Sequence, residues 1–537
     1  MKRYLLKRIL FSLFALIVVV GTVMVLVYSC IDRGLIFNGD PMVTKKANNE
    51  LEIYQLQKWQ KYGYLTYTDY SSFVSNEFKK EKGEDFDRND ATYVAALESI
   101  GDPDTYLQNI YVQKFYQSFE KNKYTIQYLA PKYRTKTSKD PVTGETVVEK
   151  TVLSQPYLIA KKDINVFVRL FKYFTQMVSI ETINDVKDEN LKDRYIRWEW
   201  DKRSNMPALV GSGTKHKYLL YFDSKFPFVH QNIITLNLGK SYVVYRDMDI
   251  TEVFDSATDS TYQTLQEYPS QIGTGNEEMT GYDFHTVTYN EAEKSATEIE
   301  MYGDDPYTNA QMQKGGLSRM QNSFVIGIIS TLLVYLIGLP LGVLMALKKD
   351  KLPDKIGNLY IIFIIAVPSL AYIFMLASVG MFIFKLPYKY ATAEVKFFAY
   401  IMPTVSLALP AIGGLMKWMR RYMIDQMNSD YVKFARSQGL SEGEIFSKHI
   451  SPNAMIFLIH NIPADILFAL TGAMVTERVY GMPGVGGLLT NAINDHDNGV
   501  IVAMTLFYTT LTIVALIAGD LLLAKYDPRI SFTEGGN

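Results

Sequence analysis

Apolar residues along this chain gather into six long runs, separated by polar segments of very different length. The runs are Ile9 to Tyr28, Phe324 to Leu347, a stretch within Ile356 to Phe384, Phe397 to Met416, Met455 to Val475 and Val500 to Gly519. A bilayer core of about 30 Å needs roughly 20 apolar residues in a helix, because no water is present there to satisfy backbone groups. Each run meets that length, so six membrane helices are expected. Only the fifth carries an acid, Asp465. The first run follows Lys2, Arg3, Lys7 and Arg8 as a secretory signal would, but it exceeds the usual 7 to 15 residues of a signal core and is read as a retained helix.

Between the first and second runs lie about 290 residues, enough to bury a core of their own. Tyr54, Leu56 and Trp59, then Tyr93, Val94, Leu97 and Ile100, recur at near-helical spacing. Pro131 to Val152 is polar, with Asp140-Pro141 and Thr143-Gly144 as turn signals, and reads as an exposed hairpin or linker. Ile164, Phe167, Val168, Phe171, Phe174 and Val178 share one face of a further helix. From Tyr218 to Tyr245 β-branched and apolar residues dominate, which favours strands or a mixed piece. The expected class is therefore a polytopic α-helical membrane protein, with segment 1–30 as its first helix, a large mixed α/β domain at 31–320 and a five-helix core at 321–537.

Charge divides along the same lines. Residues 31–320 hold 35 Lys+Arg against 42 Asp+Glu, while the remainder holds 20 against 14. The total of -1, without a basic block, argues against a nucleic-acid partner. Basic residues flanking membrane helices stay on the cytoplasmic side. With the N-terminus inside, sixteen Lys and Arg fall in the inner segments and only Lys385, Lys389, Lys396 and Arg478 in the short outer loops. Both termini are thus expected inside and 31–320 outside.

Chemistry-bearing patterns are sparse. Cys30 is the single cysteine, and the six histidines have no metal-ligand spacing, so neither a catalytic nor a metal site is expected. No G-x-x-x-x-G-K-[ST] phosphate loop occurs, so the chain binds no ATP of its own in that way. The organised segment is Arg420 to Asn453. Ser429 or Asp430 can cap a short helix whose apolar face is Tyr431, Phe434 and Ala435, with Gly439 as its left-handed end. Ser441 and Glu444 form a capping box for a second helix with Ile445, Phe446, His449 and Ile450 on one side, and Ser451-Pro452 is expected to stop it. Such a pair is either an interfacial amphipathic element or a docking knob for a cytosolic partner. In the fifth run His460, Asn461 and Pro463 surround Asp465, a costly acid that either lines a polar path or bonds to a second subunit.

The run from Asp430 to Ala454, DYVKFARSQGLSEGEIFSKHISPNA, resembles the cytoplasmic EAA loop of ATP-binding-cassette importer permeases, in the form used by their dipeptide and oligopeptide branch. Its central glycine falls on Gly439, followed by Leu440; its Asp-Tyr opening falls on Asp430 and Tyr431, its Ala-Arg on Ala435 and Arg436, and its later positions on His449, Asn453 and Ala454. The naming Glu-Ala-Ala is reduced to Lys433, Phe434 and Ala435. GLPLGVLMAL from Gly338, MPTVSLALP from Met402, TERVYGMPGVGGLL from Thr476 and GDLLLAKYDPRIS from Gly519 resemble other family segments in order. FVHQNIITLNLGKSY, Phe228 to Tyr242, looks like part of the family's shorter first outer loop, with extra sequence on both sides.

The resemblance implies a permease subunit of an oligopeptide importer in a bacterial plasma membrane. It implies a second homologous permease, two cytosolic ATPases that use ATP and magnesium, a lipid-anchored extracellular peptide-binding protein and an oligopeptide substrate. A membrane-anchored peptide receptor is the alternative, but no cytosolic segment is long enough for an output domain.

Overall fold

The computed structural model describes residues 2–83, 86–139, 146–180, 195–201, 205–211, 219–222, 229–231, 233–254 and 317–526, with the strand segments 261–262, 264–267, 277–280, 288–289, 308–309 and 313–314. Two compact units are present: Met24–Thr175, and Met1–Val23 with Gln176–Asn537. Helix α1 (Lys2–Cys30) runs unbroken and supplies residues to each.

In the unit Met24–Thr175 a short sheet is covered on both faces. Its helices are α2 (Asn48–Lys61), α3 (Tyr70–Lys82), α4 (Ala91–Glu98), α5 (Ile110–Glu120) and α6 (Val166–Gln176). Strands β1 (Leu65–Asp69), β2 (Thr125–Leu129) and β3 (Tyr157–Asp163) pair antiparallel in the order β1-β3-β2, with Thr66 opposite Lys162 and Gln127 opposite Ile159. Successive side chains of a strand point to opposite faces. Leu158 and Ala160 of β3 accordingly pack with Tyr70, Phe78 and Phe115 from α3 and α5, while Ile159 packs with Ile53 and Leu56 of α2. Asp69, Asp90 and Asn109 cap α3, α4 and α5 by accepting from the backbone N–H of Ser72, Thr92 and Tyr111. Aromatic side chains fill much of this core, with edge-on pairs such as Phe73 with Phe115 at 5.2 Å. The polar stretch after Pro131 is a hairpin of Lys132–Lys139 and Thr146–Ser154. Helix α6 also forms where its periodicity predicts, and Phe167, Val168 and Phe171 on its shared apolar face are exposed.

The second unit holds α7 (Arg319–Leu347), α8 (Leu352–Ala366), α9 (Ser369–Phe382), α10 (Lys396–Met427), α11 (Asp430–Ser437), α12 (Glu442–Ile445), α13 (Ser451–Ile459), α14 (Ile462–Tyr480), α15 (Val485–Asn494) and α16 (Asn498–Tyr526). Among the described residues, Tyr4–Cys30 and helices α7, α10 and α16 are each long and apolar enough to cross a membrane. The third apolar run is not straight: α8 and α9 meet at 111° around Pro368, which lacks an N–H and fixes its own φ. The fifth run is divided into α13 and α14, and α10 continues eleven residues past Met416 before it ends. Residues 178–180 and 234–236 pair as strands, and a four-stranded antiparallel sheet contains Ile196–Asp201, Met206–Gly211, Leu220–Phe222 and Val229–Gln231, so the described residues between 219 and 236 include three short strands.

Helices α7 and α10 approach closely through Gly338 and Gly342. A Cβ added at Gly342 would lie 2.8 Å from the Cβ of Met419 and 3.0 Å from the Met416 carbonyl oxygen. Small residues four apart permit such contact where hydrophobicity alone cannot distinguish helix from lipid. At one end of α8 the buried Asp354 accepts both a 2.6 Å bond from Nε and a 2.7 Å bond from Nη2 of Arg420 on α10. Tyr4 and Arg8 of α1 reach Asp520 of α16 at 3.0 and 3.3 Å.

Phe115 is completely buried between α3, α5 and β3. Phe115→Ala is expected to destabilise the Met24–Thr175 unit by about 3–5 kcal/mol. Thermal melting followed by limited proteolysis should show that unit cleaved at lower temperature than in wild type, with the membrane helices still inserted.

Candidate functional site

The segment after α10 folds as two short helices across a glycine turn. Ser429 occupies the N-cap position of α11, but its hydroxyl donates to the Gln426 carbonyl at 2.6 Å and makes no cap bond to the helix. Gly439 has φ 82°, a left-handed conformation that side chains resist, and its N–H returns to the Arg436 carbonyl at 3.0 Å. Ser441 and Glu444 make both bonds of the expected capping box. Across the turn Arg436 donates to both carboxylate oxygens of Glu442, at 2.5 and 3.0 Å, and thereby holds the Glu442 carboxyl below its ordinary range. Lys433 lowers Asp430 in the same way.

The buried face differs from the expected one. Val432 and Ala435 of α11 pack inward with Ile445 and Ile450, and Leu440 is partly buried beside them. Phe434, assigned to the apolar face, is 63% exposed. Tyr431 is half-buried; its hydroxyl donates to Gln426 Oε1 at 2.6 Å and lies 3.3 Å from the His449 carbonyl, to which Asn453 also donates at 2.7 Å. Ser451-Pro452 does not stop the second helix. Residues Phe446–Ile450 widen into a π-type turn, and α13 follows directly with Pro452 in its first turn, where a missing N–H costs least.

His460 and Asn461 stand at the break between α13 and α14, and Pro463 lies in the first turn of α14. Asp465 lies in the same first turn, its N–H donating to the Asn461 carbonyl at 2.8 Å. Its carboxylate accepts from the Tyr335 hydroxyl on α7 at 2.5 Å. The acid thus has a partner within its own chain, which neither sequence expectation included. Nδ1 of His460 is buried and has no hydrogen-bond partner among the described residues.

Two further acids escaped the sequence reading. Glu477 is fully buried at the end of α14; it accepts from Ser323 of α7 at 2.5 Å and from the Gly487 N–H at 3.1 Å, at the start of α15. Gly484 is required beside it, since a Cβ there would collide with the carboxylate. Asp497 is also fully buried, just before α16. It accepts from the Ser241 hydroxyl at 2.5 Å and from the backbone N–H of Tyr242, Val243 and Val244 at 2.9 to 3.0 Å. The available signal was their position: Glu477 lies in TERVYGMPGVGGLL, one of the segments that resemble the family, and Ser241-Tyr242 closes FVHQNIITLNLGKSY.

Comparison with known proteins fits this arrangement. The profile of the family described as "Binding-protein-dependent transport system inner membrane component" matches residues 338–532, from the close-packed Gly338 through the hairpin and past the end of α16. The oligopeptide transport system permease protein AmiC of Streptococcus pneumoniae serotype 4 is 31% identical over 543 residues, covering 100% of both chains. The chain belongs to this family of membrane transport components. Its members are transport subunits and not enzymes. The dipeptide transport system permease protein DppB of Bacillus subtilis is 29% identical over 216 residues, 40% of this chain and 69% of its own. The AmiC match therefore extends through residues 31–320, whereas the DppB match does not span the chain. An inward-facing structure of the MetNI methionine ABC transporter has 14% identity and a TM-score of 0.31, covering 38% of this chain and 93% of its own.

Asp497→Ala would leave the N–H groups of Tyr242, Val243, Val244 and Val500 and the Ser241 hydroxyl without their shared acceptor. At roughly 1–3 kcal/mol for each orphaned buried group, a loss of about 3 kcal/mol or more is expected. The melting temperature of the detergent-solubilised chain should fall, and tryptic cleavage at Lys240 and Arg246 should accelerate; an unchanged melt and digest would show that the cradle does not hold this segment.

Proposed function

We infer that this chain is the permease subunit of an ATP-driven oligopeptide importer, one of two homologous permeases that together form the pathway. The full-length similarity to an oligopeptide permease carries this reading. In it, the chain crosses a bacterial plasma membrane six times, with both termini in the cytoplasm and residues 31–320 outside. The bent pair α8 and α9 counts as one span and the broken pair α13 and α14 as another, which adds two to the four uninterrupted helices. Two cytosolic ATPases bind and hydrolyse ATP, and an extracellular lipoprotein delivers peptide.

The hairpin of α11 and α12 is the lever. Its rigidity follows from the Gly439 turn, the Arg436 to Glu442 pair and the capping box, and its exposed Phe434 is the apolar knob offered to an ATPase groove. Val432, Ala435 and Ile445 seat the hairpin on the helices behind it, so a displacement of the knob is transmitted as a rigid-body shift. Gly439→Val places a β-branched residue at positive φ, at a cost of order 1–3 kcal/mol, and Ala435→Asp puts a charge into the seat. Both variants should insert and assemble but lose peptide uptake and peptide-stimulated ATP hydrolysis in proteoliposomes. Normal uptake by Gly439→Val would refute the lever.

Asp465, His460 and Asn461 line the path at the broken helix, where an acid suits a peptide's cationic amino end. Tyr335 holds the carboxylate in place. Asp465→Leu should cut uptake at least tenfold with ATPase binding intact, and Tyr335→Phe should raise the KM for peptide with a smaller effect on the maximal rate. Full transport by Asp465→Leu combined with a lowered melting temperature would mark the pair as structural instead.

A further inference from the structure

Helix α6 presents an apolar face that nothing in its own unit covers. Phe167, Val168 and Phe171, spaced to share one side, are 68%, 49% and 69% exposed. The opposite side is committed: the guanidinium of Arg169 lies over the ring of Tyr28 at 3.6 Å and over that of Tyr64 at 4.1 Å, and it donates to the Tyr62 carbonyl. Tyr28 belongs to the last turns of α1, so this stacking fixes the height of α6 relative to that helix.

That height is the outer edge of the hydrocarbon layer. Counting from Ile9, the first uncharged position after Arg8, Tyr28 is the twentieth residue, and the next charge, Asp32, follows one turn later. Twenty residues at 1.5 Å each cover about 30 Å, the thickness of the apolar layer. Tyrosine itself favours this boundary, where one end of the ring is apolar and the other wet. Leu26, half a turn below Tyr28, is 55% exposed, as a lipid-facing position would be. The bare face of α6 thus belongs to a helix held at the level of the last turns of α1, and Lys172 extends from the same helix into solvent, where headgroup phosphates would meet it.

We propose that α6 is an interfacial helix, with Phe167, Val168 and Phe171 inserted at the headgroup and acyl boundary of the leaflet into which the C-terminal end of α1 emerges. It holds the Met24–Thr175 unit down on the bilayer, with Arg169 as the clamp between the interfacial helix and the spanning one. The inference rests on α1 crossing the membrane.

The test uses the full-length chain, with its co-purifying subunits, in nanodiscs of phosphatidylcholine and phosphatidylglycerol. In a Cys30→Ser background, single cysteines at Val19, Lys80 and Phe171 carry a nitroxide, and power saturation compares accessibility to oxygen, which partitions into lipid, with that to a water-soluble nickel chelate. The Val19→Cys label should be lipid-exposed and the Lys80→Cys label water-exposed. The Phe171→Cys label should show an oxygen-to-nickel ratio severalfold above that at position 80 and below that at 19, and an added Phe167→Asp substitution should return it towards the value at position 80. A water-like ratio at 171 with a lipid-like ratio at 19 overturns the interfacial helix while leaving the spanning reading intact. Protection at 171 from both reagents assigns the face to another protein subunit and also overturns the proposal. A water-like ratio at 19 removes the membrane span itself and the inference with it.

Discussion

A buried carboxylate that no water reaches must be answered by the protein, and in this chain the answer decides which segments are joined. Asp497 is the strongest case. Its two oxygens collect the Ser241 hydroxyl and three consecutive amide N–H groups, an arrangement available only if the chain curls around the acid. One side chain at the start of α16 thereby fixes a segment more than 250 positions earlier. Glu477 does the same between α7, α14 and α15, and Asp354 between α8 and α10. All three sit at or near helix ends, where unpaired backbone donors or a facing guanidinium are at hand.

Asp465 stands apart from that group. It is only half-buried and, although it too lies in the first turn of a helix, it is met by one hydroxyl from α7. A carboxylate with four acceptor sites and a single side-chain donor keeps capacity for a further cation or amine. The three saturated acids build the frame; the unsaturated one is the acid with chemistry left to offer. The same contrast separates the two faces of the hairpin: Val432 and Ala435 are spent on packing, whereas Phe434 is not.

The sequence made the helical class, the hairpin turn at Gly439 and the Ser441 box readable, because each depends on contacts within a few residues. Periodicity also located α2, α4 and α6. It could not tell which side of α11 faces the protein, since Tyr431, Val432, Phe434 and Ala435 offer two overlapping apolar stripes on an eight-residue helix. Pro452 misled for a related reason: a proline stops a regular α-helix, but a π-type turn before it moves the missing N–H into a first turn where it is harmless. The sheet of β1, β3 and β2 gave little signal, its edge strands being short and mixed in polarity, and only the buried centre Leu158-Ile159-Ala160 reads as a run. Partners separated by hundreds of residues, such as Ser241 with Asp497 and Tyr335 with Asp465, leave no local pattern.

The cradle also explains how so long a segment can be carried between the first two membrane helices. Closing a flexible loop costs conformational entropy that grows only with the logarithm of its length, about 0.6 kcal/mol for each doubling. Lengthening a short outer loop several-fold therefore adds only a few kcal/mol at most, while one buried acceptor that gathers several donors contributes about 1.5–3 kcal/mol for each charged hydrogen bond. The insertion is tethered at α1 and at the capped start of α7, and again in between at Ser241 to Val244. What precedes Ser241 has folded a core of its own in Met24–Thr175, so its ordering is met by Phe115, Tyr70 and Leu158 and not drawn from the membrane helices. Sequence could be added on the N-terminal side of the cradle without loosening the permease, because the acid at position 497 holds that segment through Ser241 to Val244, its further bond going to Val500 of α16.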